Sequence, residues 1–328
     1  MLKSTVVSLC GVLFLGFSSI GLAQTTLSPA LNINKIQRII GVKGTYNPNT
    51  PTYKVTIPRN DLKISINDTS LPSMMGVTSW IAFQKNAVDT HVTGELALTE
   101  DQVNPLISLI LKTGLQVTSL ENHFMWESSR IMFLHIEGSG DEIKLAMDAA
   151  AIFKKMHDTT NGQGEFPYAK INFADTTLHP RKLDLILGTK GNLNNGVYQV
   201  KLNHQIPHAP GIHSWAAFAG SDQEAIVDGE FTLQPSELQK VLGSLRSADI
   251  GVSAIHHYKN EENQDVVLVH YWGAGNTKRL AHGVHNAAIA AINTPSIKMT
   301  ATQYQWQGNQ KSQQLLPSFT RWDAMKIK

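Results

Sequence analysis

Apolar and polar residues alternate over Tyr53-Lys-Val-Thr-Ile57 and again over Tyr198-Gln-Val-Lys-Leu202. That is the period of a half-buried strand. Ser79–Phe83 and Val92–Leu98 read as further strands. At Thr99 the period changes. Thr99-Glu-Asp-Gln102 has the form of a capping box, and Val103, Leu106, Ile107, Ile110 and Leu111 follow at helical spacing. Gly114 marks the end of that helix. Val117–His123 and Ile131–Ile136 read as strands, and Asp141 caps a helix carrying Ile143, Leu145, Ala146, Ala149 and Ile152. Further on, Pro235-Ser236 opens a similar helix with Leu238, Val241, Leu242 and Leu245 on its inner face. The order is strand-rich, helix, two strands, helix. It predicts an α+β fold, an antiparallel sheet with helices packed on one face.

The pattern occurs twice, at an offset of 135 residues. Gly76-Val-Thr-Ser-Trp80-Ile-Ala-Phe83 matches Gly211-Ile-His-Ser-Trp215-Ala-Ala-Phe218. Gly94-Glu95 matches Gly229-Glu230, His135-Ile-Glu-Gly-Ser-Gly140 matches His270-Tyr-Trp-Gly-Ala-Gly275, and Leu145-Ala146 matches Leu280-Ala281. The alignment needs no gap between 76 and 150 and contains 16 identities. Upstream, Gly44 precedes Trp80 by 36 residues, whereas Gly191 precedes Trp215 by 24. The first copy therefore carries about 12 extra residues, around Arg59 to Pro72. We expect a first repeat at 31–165, a linker at 166–177 and a second repeat at 178–296, arranged as a pseudo-twofold pair. The polar run Asp158–Gly164 leads into the linker, and a polar, Gln-rich extension covers 297–328.

The N-terminus changes the compartment expected. Lys3, the apolar run Val6–Phe17 and the small residues Gly21 and Ala23 form a secretory signal peptide pattern over 1–23. The apolar run is short of the roughly 20 residues a membrane span needs. We expect an exported protein, periplasmic or secreted, with no transmembrane segment in the mature chain. Cys10, the only cysteine of the 328 residues, leaves with the leader, so neither a disulfide framework nor a cysteine metal site is expected. A formal charge of +2 argues against a nucleic-acid partner.

The candidate chemistry lies on the later strands of each copy. The first reads Glu121-Asn-His123-Phe-Met-Trp-Glu127, then His135; the second reads His256-His-Tyr258-Lys-Asn-Glu-Glu262, then His270. Residues i and i+2 of a strand share a face, so Glu121 pairs with His123 and His256 with Tyr258. A hairpin would bring His135 across to them. Imidazole and carboxylate converging on one point suit a divalent ion such as zinc. The metal candidates are Glu121, His123, Glu127, His135, His256, Glu262 and His270. Glu127 and His135 are also the candidate acid–base pair. His204, His208 and His213 lie in a Pro-rich stretch that reads as a surface loop, and His282 and His285 read as a solvated helix face. Trp80 and Trp215 read as core residues at matching strand positions. Neither a phosphate-binding P-loop, nor Gly-x-Ser-x-Gly, nor His-Glu-x-x-His is present.

The motifs Gly94-Glu-Leu-Ala-Leu98, Val117-Thr-Ser-Leu-Glu-Asn-His123, Glu127, His135, Gly138, Gly140, Leu145 and Ala146 resemble a bacterial family typified by the lipoproteins LppY and LpqO. The second copy carries a weaker version, Val252-Ser-Ala-Ile-His-His257. The resemblance implies an exported, duplicated protein and no particular activity. It also implies that Glu121 and Tyr258 each stand where relatives have an imidazole. The leading expectation is a soluble binding protein with a His/Glu-lined, metal-associated pocket for a small molecule or envelope component. The alternatives are a cell-envelope hydrolase using a Glu/His pair and a structural or assembly protein. Oligomeric state is not legible.

Overall fold

The computed structural model describes residues 30–160, 162, 164, 168–203, 213–260 and 262–292. The expected signal peptide and C-terminal extension lie outside these residues, as do His204 and His208. The first repeat contains α1 (Ile33–Ile40), β1 (Thr45–Asn47), β2 (Thr52–Pro58), β3 (Ser65–Ile66), β4 (Thr69–Ser70), β5 (Thr78–Lys85) and β6 (Thr90–Thr99). It continues with α2 (Glu100–Thr113), β7 (Gln116–Asn122), β8 (Glu127–Ser128), β9 (Ile131–Gly140) and α3 (Glu142–Asp158). The second contains α4 (Pro180–Leu187), β10 (Asn192–Asn194), β11 (Val197–Lys201), β12 (Trp215–Gly220) and β13 (Ala225–Leu233). It ends with α5 (Leu238–Ser247), β14 (Gly251–Lys259), β15 (Asp265–Gly275) and α6 (Thr277–Ile292).

Local signals place the helix ends. The Thr99 N–H donates to Gln102 Oε1 at 3.1 Å, in the capping box expected there. Asp141 Oδ1 accepts from the backbone N–H groups of Ile143 and Lys144. Gly114 ends α2 at φ 87°, a left-handed conformation that costs glycine little. The alternation did not anticipate α1 and α4. Each offers the core a single i,i+4 pair, Ile36 with Ile40 and Leu183 with Leu187. That is too little repetition to stand out from the flanking loops.

We expected one sheet per repeat; the main sheet is instead continuous and twelve-stranded. Its order is β1-β2-β5-β6-β9-β7-β14-β15-β13-β12-β11-β10. The second six strands are the counterparts of the first six in reverse order. β7 and β14 would otherwise each be an open edge of unpaired backbone groups, and pairing them removes both edges. Their register sets Leu120 opposite Ile255, residues equivalent under the 135-residue offset. Side chains from the neighbouring helices reinforce the seam reciprocally. Asn104 accepts from the Val252 N–H at 2.8 Å and donates to its carbonyl at 3.4 Å. Gln239, its counterpart, accepts from the Val117 N–H at 3.1 Å and donates to its carbonyl at 2.7 Å.

Alternation along the strands separates two faces. Ile81, Phe83, Leu96, Leu98, Leu134 and Ile136 form one core with the inner faces of α2 and α3, and the second repeat continues the same core. Gly94 and Gly229 belong to this close packing: a Cβ at Gly229 would stand 2.4 Å from the Trp215 carbonyl oxygen, and one at Gly94 would stand 2.9 Å from that of Trp80.

The opposite face is partly covered by the extra residues of the first repeat. β3, β4 and β8 form a three-stranded sheet. Beneath it Ile64, Val77, Ala97, Ile131 and Phe133 make a second apolar cluster, with Leu62, Leu71 and Phe124 against it. Arg59 is buried at its rim. Its guanidinium pairs with Asp61 at 2.9 Å, reaches the Ala97 carbonyl and donates to Gln102 Oε1 at 3.2 Å. No helix among the described residues is long and apolar enough to cross a membrane.

Candidate functional site

On the face away from the main core, one row of the first repeat runs across three strands. Trp80 on β5 stands opposite Glu95 on β6, and Glu95 stands opposite His135 on β9. On the far side of β9, β7 brings Ser119 opposite His135 and Glu121 opposite Phe133. His123, two residues beyond Glu121, lies past the last paired residue of β7. Its ring stacks on Phe133, centroids 3.7 Å apart and planes 6° from parallel. Phe133 is fully buried in the small second cluster. The extra residues of the first repeat thus bury the ring that orients His123.

Four polar groups converge there. His135 Nε2 lies 3.3 Å from Glu121 Oε1 and 3.6 Å from Glu95 Oε2. His123 Nε2 lies 3.5 Å from Glu121 Oε1. One donor atom from each of Glu95, His123 and His135 lies within 4.8 Å of the other two. His135 Nε2 is shielded from solvent yet makes no hydrogen bond. A buried polar atom without a partner is costly, and an ion or a water would satisfy it. Two imidazoles and one or two carboxylates form a nitrogen/oxygen donor set suited to zinc and similar divalent ions. Trp80 holds the outer side of the set. Its Nε1 donates to Glu95 Oε1 at 3.3 Å, leaving Oε2 towards His135, while Lys54 Nζ lies 3.9 Å from the centre of its ring.

The second repeat builds the same row from Trp215, Glu230 and His270. Its geometry differs. His270 Nε2 lies 2.7 Å from Glu230 Oε2, so this imidazole is already paired. His256 stands at the Glu121 position, its ring 6.2 Å from that of His270 and edge-on to it. Tyr258 replaces His123, and Leu268 replaces the Phe133 beneath it. Burial, and then the nearby Glu230 carboxylate, hold the Tyr258 hydroxyl above its ordinary pKa, so it remains a neutral phenol. The Tyr258 hydroxyl, like that of Thr232 on the same face, is shielded from solvent without a hydrogen-bond partner.

The sequence profile of the Domain of Unknown Function family DUF1259 matches residues 34–155 and, a second time, residues 181–290. The chain belongs to the DUF1259 family. The two matched segments are the two repeats, each centred on one row of the polar face. No curated protein matches this DUF1259 chain in sequence. A trimeric bacterial microcompartment shell protein, PduB, is similar at 10% identity, over 76% of this chain and 90% of that one, with a TM-score of 0.19. Nothing is carried over from a likeness that slight.

Of the residues expected at a DUF1259 site from sequence, Glu121, His123 and His135 come together, as do His256 and His270. Glu127 and Glu262 do not join them. Glu127 lies on β8, paired with Ile66, and its Oε1 accepts from Asn122 Nδ2 at 2.7 Å. Asn122 is the last residue of β7, and its Nδ2 also donates to the Ile131 carbonyl at 3.1 Å. Glu262 lies in the turn between β14 and β15, where its N–H donates to Asn260 Oδ1 at 3.1 Å. Trp80 and Trp215 are not in the main core; both are half-buried on the polar face. His282 is exposed on α6, as expected. Glu95 and Glu230 are the site residues sequence reasoning missed. Their signal was their survival, next to an equivalent glycine, in both copies.

Proposed function

We propose that this protein is an exported binding protein whose first repeat holds one divalent ion of the zinc class. Glu95, His123 and His135 supply the donors and Glu121 stands ready as a fourth. The observation that carries this reading is His135 Nε2: shielded, unbonded, and within 3.3 Å and 3.6 Å of two carboxylates. Zinc ligands sit about 2.0–2.2 Å from the ion, so donors of one tetrahedral site stand roughly 3.3 Å apart, near the spacing found here. The second repeat has the same architecture with its imidazole already paired and a phenol in place of His123, and we assign it no ion. The reversed strand order and the reciprocal Asn104 and Gln239 bonds support a pseudo-twofold arrangement of the repeats. The leader pattern over 1–23 supports export.

The test is zinc titration of the purified mature chain against a chelating dye, followed by elemental analysis. We expect about one ion per chain, lost in His135→Ala and retained in His270→Ala. A metal-free protein, or one whose zinc content ignores His135→Ala, removes the proposal.

A further inference from the structure

The two polar rows are closer to each other than two separate sites would be. Leu120 opposite Ile255 fixes the antiparallel register at the seam, so Ser119 stands opposite His256 and Glu121 opposite Ala254. Ser119 is also opposite His135 on its other side, and Ala254 is opposite His270. The rows therefore read His135–Ser119–His256 and Glu121–Ala254–His270. All six side chains lie on the polar face, because Leu120 and Ile255 between them point into the main core. Neighbouring strands are about 4.8 Å apart, which puts His135 and His256 roughly 10 Å apart at their Cα atoms. The middle residue of each row is small, Ser119 in one and Ala254 in the other, and imidazoles and a carboxylate flank them across the seam.

We propose that the seam between the two rows is one bipartite site, and that it takes a small oxyanion. One oxygen of the anion adds a fifth ligand to the ion held by the first repeat; another is met by the Ser119 hydroxyl and the imidazole of His256 from the second. The proposal rests on the metal reading above. It accounts for two features that reading leaves aside. Residue 119 and its equivalent, 254, are both small, and His256 occupies a position where the first repeat has a carboxylate that would repel an anion. With the ion neutralising Glu95 and Glu121, and His270 already paired with Glu230, Ser119 and His256 are left at the seam, both able to give a hydrogen bond to an anion.

The experiment uses the full mature chain loaded with zinc. Methylphosphonate and acetate are titrated in by calorimetry, which separates a phosphorus oxyanion from a carboxylate. The variants are His256→Ala, which removes the donor, and Ala254→Leu, which fills the seam. Zinc affinity is measured for each in parallel. We expect at least one anion to bind only when zinc is present, and to bind about tenfold or more weakly in both variants while zinc affinity is unchanged. Failure of both anions to bind the zinc-loaded chain overturns the inference, as does binding that neither variant weakens or that persists without zinc. In those cases the metal assignment stands. Absence of zinc binding by the unaltered chain overturns both.

Discussion

The two copies of the polar row start from the same strands, the same tryptophan–glutamate–histidine register and the same adjoining glycine, yet differ in how the last imidazole is held. In the first repeat His135 lies among carboxylates at 3.3 and 3.6 Å without bonding either; in the second His270 is closed onto Glu230 at 2.7 Å. The first has His123 stacked on a buried phenyl ring; the second has a tyrosine and a leucine at those two positions. Besides these exchanges, the first repeat has a covering sheet, which buries Phe133. The comparison teaches that a ligand set depends on the shell that orients it as much as on its own residues.

The largest blow to the comparison should come from that covering sheet. Arg59→Ala would strand Asp61 and the Ala97 carbonyl beside a buried cluster, and we expect it to cost about 3 kcal/mol in urea unfolding. Among the described residues the second repeat has no counterpart to lose. Burial alone would raise the Asp61 carboxyl, but Arg59 and its other hydrogen bonds outweigh this and hold it below its ordinary 3.8. Because the folded pKa is depressed, this stabilisation is present above that value and fades as pH falls through the folded one. Acid titration followed by tryptophan fluorescence should show it, and Arg59→Ala should erase it.

Next in size is the imidazole over Phe133. His123→Ala should weaken zinc binding by about 100-fold, or about 2.7 kcal/mol. The converse change, Tyr258→His, should move the zinc content from about one ion per chain towards two if the missing imidazole is the main defect of the second row. No second ion would assign the defect to the closed His270–Glu230 pair instead. Trp80→Phe should lower zinc affinity about tenfold by freeing Glu95, whereas Trp215→Phe should leave it unchanged. Smallest are the seam residues. Asn104→Ala and Gln239→Ala should each cost about 1 kcal/mol in urea unfolding, and unequal losses would show that the seam is less reciprocal than its bonds.

Much of this was readable in the chain. The offset of 135 placed every strand of one row on its counterpart, and i,i+2 spacing put Glu121 beside His123. Glu127 looked just as good because it too survives in both copies, but β8 turns away into the covering sheet. Glu95 was overlooked for a topological reason. It lies about 26 residues before Glu121, and only the order β6-β9-β7, in which β9 inserts between the earlier strands, brings it to His135. Local spacing carries no information about that insertion. The fusion of two sheets into one was equally hidden, since the seam residues Leu120 and Ile255 look like any other strand positions.

The pairing of Leu120 with Ile255 has a consequence for how such a protein can change. Two identical chains meeting at this seam would form a dimer, and every substitution would then appear on both sides of it at once. Joining the copies in one chain removes that constraint. It also keeps the partners at a high effective concentration through the segment from α3 to α4. Tyr258 can then stand on one side where His123 stands on the other. The tether is what permits the two halves to differ at equivalent positions of the polar face.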